Sequence, residues 1–156
     1  MMAKSYPMTQ QALEDLRAEL KHKIEVERPA LAARLKAAIE LGDLSENADY
    51  TSAKEAQGFL EGRIQDLQAI ISNSEIIDEN QSNDSVQLGN TVTVQEDGED
   101  SRETYFIVGQ VEANPREGKI SNESPLGRAL VGSKVGDVVR VTAPVGELVF
   151  RILEIS

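Results

Sequence analysis

The sequence predicts an antiparallel helical hairpin followed by a small α+β domain, and three observations carry that prediction. Ala53, Gln57, Leu60, Ile64, Leu67 and Ile71 step by 4, 3, 4, 3, 4, the seam of a coiled coil. An apolar series with helical spacing precedes them, across a connection from Gly42 to Ser45 that is short enough to force reversal of the chain. After Asp78 the helical period gives way to short runs rich in Val, Ile, Thr and aromatic residues.

The first helix is read from Leu13, Leu16, Leu20, Ile24, Leu31, Leu35 and Ile39, with Thr9 as its N-cap and Gly42 as its stop. Pro29 removes a backbone donor inside it, so a kink or irregular turn is expected there. Each arm, at ~30 residues, spans ~45 Å. The hairpin is assigned to residues 1–78, a polar linker to 79–85 and the second domain to 86–156. In that domain strands are expected at Thr91 to Val94, Thr104 to Val108, Val138 to Thr142 and Leu148 to Leu153, with a short helix from Pro125 to Val131.

Composition narrows the chemistry. The 156 residues include no cysteine and one histidine, His22, which excludes disulfides, thiolate nucleophiles and Cys- or multi-His metal sites. No apolar run is long enough to span a membrane and no secretory leader precedes the first helix, so a cytoplasmic protein without membrane contact is expected. The net charge of −11 is spread over both halves, so binding to free DNA is expected to be weak or absent.

The chemistry-bearing stretch is the hairpin tip, from Gly42 to Tyr50, where Asp43, Glu46 and Asp49 crowd together. Asp43-x-x-Glu46 has the spacing of a capping box, and the same two carboxylates are hard ligands suited to Mg²⁺; spacing leaves both roles open. Leu44 is either an ordinary exposed side chain or a contact that fixes the tip to a partner. Tyr50 is more often a packing residue at such a position. Lys54 lies ~12 Å back along the arm with Lys36 at similar height, a solvated face or a pair of phosphate contacts.

Residues Gly42 to Ile64, GDLSENADYTSAKEAQGFLEGRI, resemble the tip and descending helix of the bacterial Gre transcript-cleavage factors. The resemblance extends to Tyr6-Pro7-Met8-Thr9, to Arg28-Pro29, and to SPLGRALVGSKVGDVVRV from Ser124 to Val141, which is similar to the family's FKBP-like C-terminal domain. The acidic balance resembles the GreA type. Ile39 departs from the family pattern, standing where relatives often carry a base.

The resemblance implies an elongation factor that has no catalysis of its own. Its hairpin would enter the secondary channel of a backtracked RNA polymerase, where Asp43 and Glu46 would act in trans. There they would help retain a second Mg²⁺ shared with the polymerase and not held stably by the isolated protein. Polymerase would then cut the backtracked nascent RNA, with Leu44, Tyr50, Lys54 and Lys36 as candidate contacts. The second domain is expected to dock on polymerase, with an apolar patch at Leu126, Leu130 or Val131. A monomer is expected, although an exposed heptad stripe is also compatible with dimerisation. The competing readings are a channel-binding inhibitor of the same fold, a passive coiled-coil scaffold, and a prolyl isomerase or chaperone. Against the isomerase, residues from 81 onward hold only Tyr105, Phe106 and Phe150 as aromatics, too few for an aromatic-lined pocket.

Overall fold

The computed structural model describes residues 4–78 and 82–156. Part of the expected linker, residues 79–81, lies outside the described residues. The chain divides into two compact units, one formed by Gln11–Asn73 and the other by Ser74–Ser156 together with the N-terminal segment up to Gln10.

The first unit is the helical hairpin. Its ascending arm comprises α1 (Gln10–His22), a π-helical turn at Lys23–Glu27, and α2 (Arg28–Glu40); its descending arm is α3 (Ala48–Ser72). The irregularity expected at Pro29 takes the form of that π turn. Pro29, in the first turn of α2, has no N–H to give to the carbonyl four residues back, and its ring crowds that carbonyl. The ladder widens just before it, and the Arg28 N–H donates to the Lys23 carbonyl five residues back.

Three polar contacts establish that the arms run antiparallel. Arg63 on α3 reaches Glu19 on α1, Arg28 at the start of α2 reaches Glu61, and Arg34 donates to the Ser52 hydroxyl at 2.7 Å. Both Arg–Glu pairs are two-pronged, with N–O distances of 2.8 and 2.8 Å for Arg28–Glu61 and 2.8 and 3.1 Å for Arg63–Glu19. They clip α3 to the ascending arm on either side of the π turn, where the helix is least regular.

The seam on α3 is as its spacing predicts, with Ala53, Leu60, Ile64 and Leu67 buried and Gln57 and Ile71 half-buried. On α2 the expectation for Ile39 is overturned. Ile39 is 52% exposed, and Ala38 is the buried residue at 2%. Leu31, Leu35 and Ala38 continue the 4, 3 step, whereas Ile39 stands one residue, about 100°, beyond the face. On the outer side of α3, Gly58 and Gly62 each cost the helix about 1 kcal/mol relative to Ala. A Cβ at either would meet nothing within 4 Å.

The second unit holds two sheets. β1 (Tyr6–Met8) and β2 (Ser74–Ile76) pair in parallel, which places both segments in this unit and not in the hairpin. Thr9, the expected N-cap, directly precedes α1 and is buried; its hydroxyl and backbone N–H donate to the Glu112 carboxylate at 2.7 and 2.8 Å.

The larger sheet contains β3 (Thr91–Glu96), β4 (Arg102–Val108), β5 (Lys119–Ser121), β6 (Val138–Ala143) and β7 (Gly146–Ile155) in the order β5-β4-β3-β7-β6. Alternation is clean on β3 and β6, which bury Val92, Val94, Val139 and Val141. A bulge in the β3–β7 register breaks it on β7, so Ile152 and Ile155, three residues apart, are both buried.

The predicted short helix is α4 (Pro125–Leu130), capped by Ser124, whose hydroxyl accepts from the Gly127 N–H. Gly127 is required by proximity, since a Cβ there would lie 1.9 Å from the Ser121 carbonyl oxygen. Leu130 is fully buried and Leu126 packs on the same core, which leaves Val131, 41% exposed, as the surface member of the expected patch. Phe150 lies in this core and Tyr105 packs against it; burial and the adjacent Glu103 carboxylate hold the Tyr105 phenol above its ordinary range.

The side-chain bonds from Arg63 and Arg28 hold the Glu19 and Glu61 carboxyls below their ordinary range. A depressed folded-state pKa stabilises the fold above the unfolded value and loses that contribution as pH falls through the folded one. Combined Glu19→Gln and Glu61→Gln substitution is therefore expected to lower the melting temperature at pH 7, modestly because both pairs are exposed. The difference from wild type should vanish once pH falls below the usual carboxylate range. Circular dichroism melts across pH check this, and a gap that persists in acid would contradict it.

Candidate functional site

The tip is built from two helix ends and the seven residues between them. α2 ends at Glu40, and the N–H groups of Leu41 and Gly42 donate to the carbonyls of Ala38 and Ile39, each at 3.2 Å. Gly42 then turns the chain with φ +93°, a conformation that costs any other L-residue about 1–2 kcal/mol.

Beyond it Asp43 closes a small turn on itself. Its Oδ1 accepts from the Ser45 N–H at 3.2 Å and the Ser45 hydroxyl at 2.7 Å, while its carbonyl lies 3.4 Å from the Glu46 N–H. The capping-box alternative for Asp43 and Glu46 is thereby corrected, because α3 begins at Ala48 and its N-cap is Asn47. The Asn47 Oδ1 accepts from the Tyr50 N–H at 3.1 Å. The three residues after Gly42 form a turn of their own, which moves the helix start past Glu46.

Asn47 is the tip residue that sequence reasoning missed. Its Nδ2 donates to the Ala38 carbonyl at 2.7 Å and lies 3.4 Å from the Gly42 carbonyl, so one carboxamide caps the end of α2 and the start of α3. Ser, Thr, Asp and Asn all serve as N-caps, but of these Asn carries its acceptor and its donor on separate atoms, one for the Tyr50 N–H and one for the α2 carbonyls. An Asn directly before a helix and five residues after a Gly stop was the available signal.

Asp43, Leu44 and Glu46 are all exposed, Leu44 at 42%. The second oxygen of Asp43 and the whole Glu46 carboxylate accept no hydrogen bond among the described residues. Two carboxylates and one apolar side chain thus stand at the reversal, free of roles in holding the helices.

The family model "Transcription elongation factor, N-terminal" matches residues 6–76, and "Transcription elongation factor, GreA/GreB, C-term" matches residues 81–156. The chain is 48% identical over 156 residues to transcription elongation factor GreA of Lactococcus lactis, covering 99% of this chain and 100% of that protein. The chain belongs to the GreA/GreB family of transcription elongation factors. A GreA from Chloroflexus aggregans is also 48% identical, over 149 residues and 95% of each chain. Among solved structures, GreA factor homolog 1 (Gfh1) of Thermus thermophilus is 29% identical with a TM-score of 0.46, covering 98% of this chain and 99% of that one. A GreA/GreB factor from Nitrosomonas europaea is 23% identical with a TM-score of 0.44, covering 97% and 99%.

In this GreA/GreB chain the remaining candidate residues divide. Tyr50 is half-buried in the first turn of α3, and its backbone N–H supplies the cap bond. Lys54 is exposed and donates to Gln57 at 3.1 Å, while Lys36 is exposed and forms no hydrogen bond or ion pair among the described residues. Arg34 adds a third cation on this stretch, directed across the arms to Ser52. No described helix of this GreA/GreB factor is long and apolar enough to cross a membrane.

Asn47→Asp separates the two roles of the carboxamide, because Asp remains an N-cap but replaces a donor with an acceptor beside the Ala38 carbonyl. The substitution is expected to destabilise the hairpin by about 1–2 kcal/mol. Helical unfolding followed by circular dichroism reads the change, and a melt unaltered from wild type would show that the link across the tip is unimportant.

Proposed function

We propose that this elongation factor inserts its hairpin into the secondary channel of RNA polymerase and presents Asp43 and Glu46 to the active centre when the enzyme has backtracked. The observation that carries this reading is that both carboxylates are exposed at the reversal of the chain while Asn47 performs the capping. The factor acts in trans, lending side chains to a reaction that polymerase catalyses, and the cut RNA 3′ end restores elongation.

The donor chemistry fits a shared Mg²⁺. Carboxylate oxygens are the hard ligands this ion prefers, and Asp43 and Glu46 would hold it together with polymerase carboxylates. Among the described residues no third acidic or histidine side chain joins them in a metal-binding group. When bound, the ion supplies charge stabilisation and an activated water for phosphodiester hydrolysis. Asp43 and Glu46 would hold negative charge beside the ion and accept hydrogen bonds from a water there, which orients it. Leu44 sits between them and packs against the channel end; Lys36 and Lys54 meet RNA phosphates farther back.

The second unit serves as the docking adaptor, with Val131 at its contact surface. Nucleic acid is reached through polymerase, since a chain of net charge −11 has little attraction for a free duplex. The factor works as a monomer in the cytoplasm.

Asp43→Asn and Glu46→Gln remove charge while conserving shape, and neither disturbs a helix cap; Asn at position 43 retains an oxygen for the Ser45 donors. Each variant is expected to melt with wild type and to compete with it for polymerase. Cleavage stimulation in a stalled, backtracked complex supplied with Mg²⁺ should fall at least about tenfold, or ~1.4 kcal/mol of transition-state stabilisation. Full cleavage by the double variant would remove the tip from the mechanism. Channel competition by wild-type protein without any cleavage would make it an inhibitor instead.

A further inference from the structure

Phe59 is 80% exposed near the middle of α3. It belongs to a second stripe, Glu55, Phe59, Gly62 and Asp66, stepping 4, 3, 4 and displaced about 200° round the helix from the seam residues Gln57, Leu60 and Ile64. A solvated coiled-coil back is ordinarily polar. Here it carries a projecting aromatic ring flanked by Gly58 and Gly62, and among the described residues a Cβ at either glycine would meet nothing within 4 Å.

We propose that this stripe is a docking surface for a protein wall of RNA polymerase, with Phe59 seated in an apolar pocket rimmed by cationic side chains and Gly58 and Gly62 allowing that wall close to the α3 backbone. The inference rests on the insertion reading above. Phe59 lies 11 residues past the start of α3, about 17 Å along the arm. An arm enclosed deeply enough to deliver Glu46 to a reacting centre also encloses Phe59.

Charge decides between this occupant and a second copy of the chain. In a two-fold pairing centred on Phe59 and Gly62, Glu55 of each copy faces Asp66 of the other; in a parallel pairing each acid faces itself. Both arrangements are repulsive between chains that each carry −11. One Phe side chain per copy also offers only about 200 Å², against the roughly 1,000 Å² or more of a stable interface. Glu55 forms no hydrogen bond or ion pair among the described residues, which leaves it available to a cationic rim.

The test is equilibrium binding of the full chain, dye-labelled at its N-terminus, to core RNA polymerase, paired with thermal unfolding. Phe59→Ala is expected to melt with wild type and to raise Kd about tenfold or more. Gly58→Ala combined with Gly62→Ala is expected to melt higher than wild type, because Ala favours helix, yet to bind more weakly because the methyl groups occupy the approach. Wild-type binding with Kd unchanged in both variants would overturn the proposal while leaving the functional reading intact. Micromolar self-association in sedimentation that Phe59→Ala abolishes would assign the stripe to a second copy and overturn it as well. Failure of wild type to bind polymerase at all would remove both readings.

Discussion

The carboxamide of Asn47 holds the reversal of the chain together, and the hairpin depends on it. A helix end leaves four backbone groups without intrahelical partners, and a hairpin brings two such ends into one turn. Asn47 gives its oxygen to the Tyr50 N–H at the start of α3 and its nitrogen to the Ala38 carbonyl near the end of α2. Gly42 supplies the left-handed step between them. With capping placed there, Asp43 keeps one oxygen on its turn with Ser45 and Glu46 accepts no hydrogen bond among the described residues, so neither carboxylate caps a helix. A side chain released from structural duty at an exposed apex is available for chemistry elsewhere.

The arms are matched to that apex. Pro29 interrupts the ascending helix, and the π turn at Lys23–Glu27 absorbs the missing hydrogen bond without breaking the arm. Arg63–Glu19 and Arg28–Glu61 bracket this weak point from α3, so α1 and α2 remain attached to one continuous partner helix. Individually such exposed pairs contribute little. Their value here is positional, because each fixes the register of α3 against a different segment of the ascending arm.

Much of this was legible in the sequence, and the parts that were not share a cause. The seam from Ala53 to Ile71 and the strands containing Val92, Val94, Val139 and Val141 follow from periodicity, which is a local property. The three-residue strands Tyr6–Met8, Ser74–Ile76 and Lys119–Ser121 are too short to show a period and form through pairing with distant segments. Ile39 was misplaced because apolar character does not distinguish a seam residue from its neighbour 100° away, and Ala38 satisfies the 4, 3 step. At the tip, the acidic pair was conspicuous but its spacing imitated a capping box. The turn that Asp43 makes with Ser45 moved the cap to Asn47, whose second bond, to Ala38, crosses nine residues. Family membership, by contrast, was carried by the long segment from Gly42 to Ile64 and by Ser124 to Val141, within the residues that the two family models match.

Delivery of the hairpin apex to the polymerase active centre is open to direct measurement, because the chain contains no cysteine. A single cysteine introduced at exposed Leu44 can carry a short photo-crosslinker into a complex backtracked by a few nucleotides. Crosslinks are expected on the extruded RNA 3′ end and on the polymerase segments that surround the catalytic Mg²⁺, and unlabelled wild-type protein should compete them away. Crosslinks confined to the outer surface of polymerase, with none on RNA, would contradict delivery of Asp43 and Glu46 to the active centre.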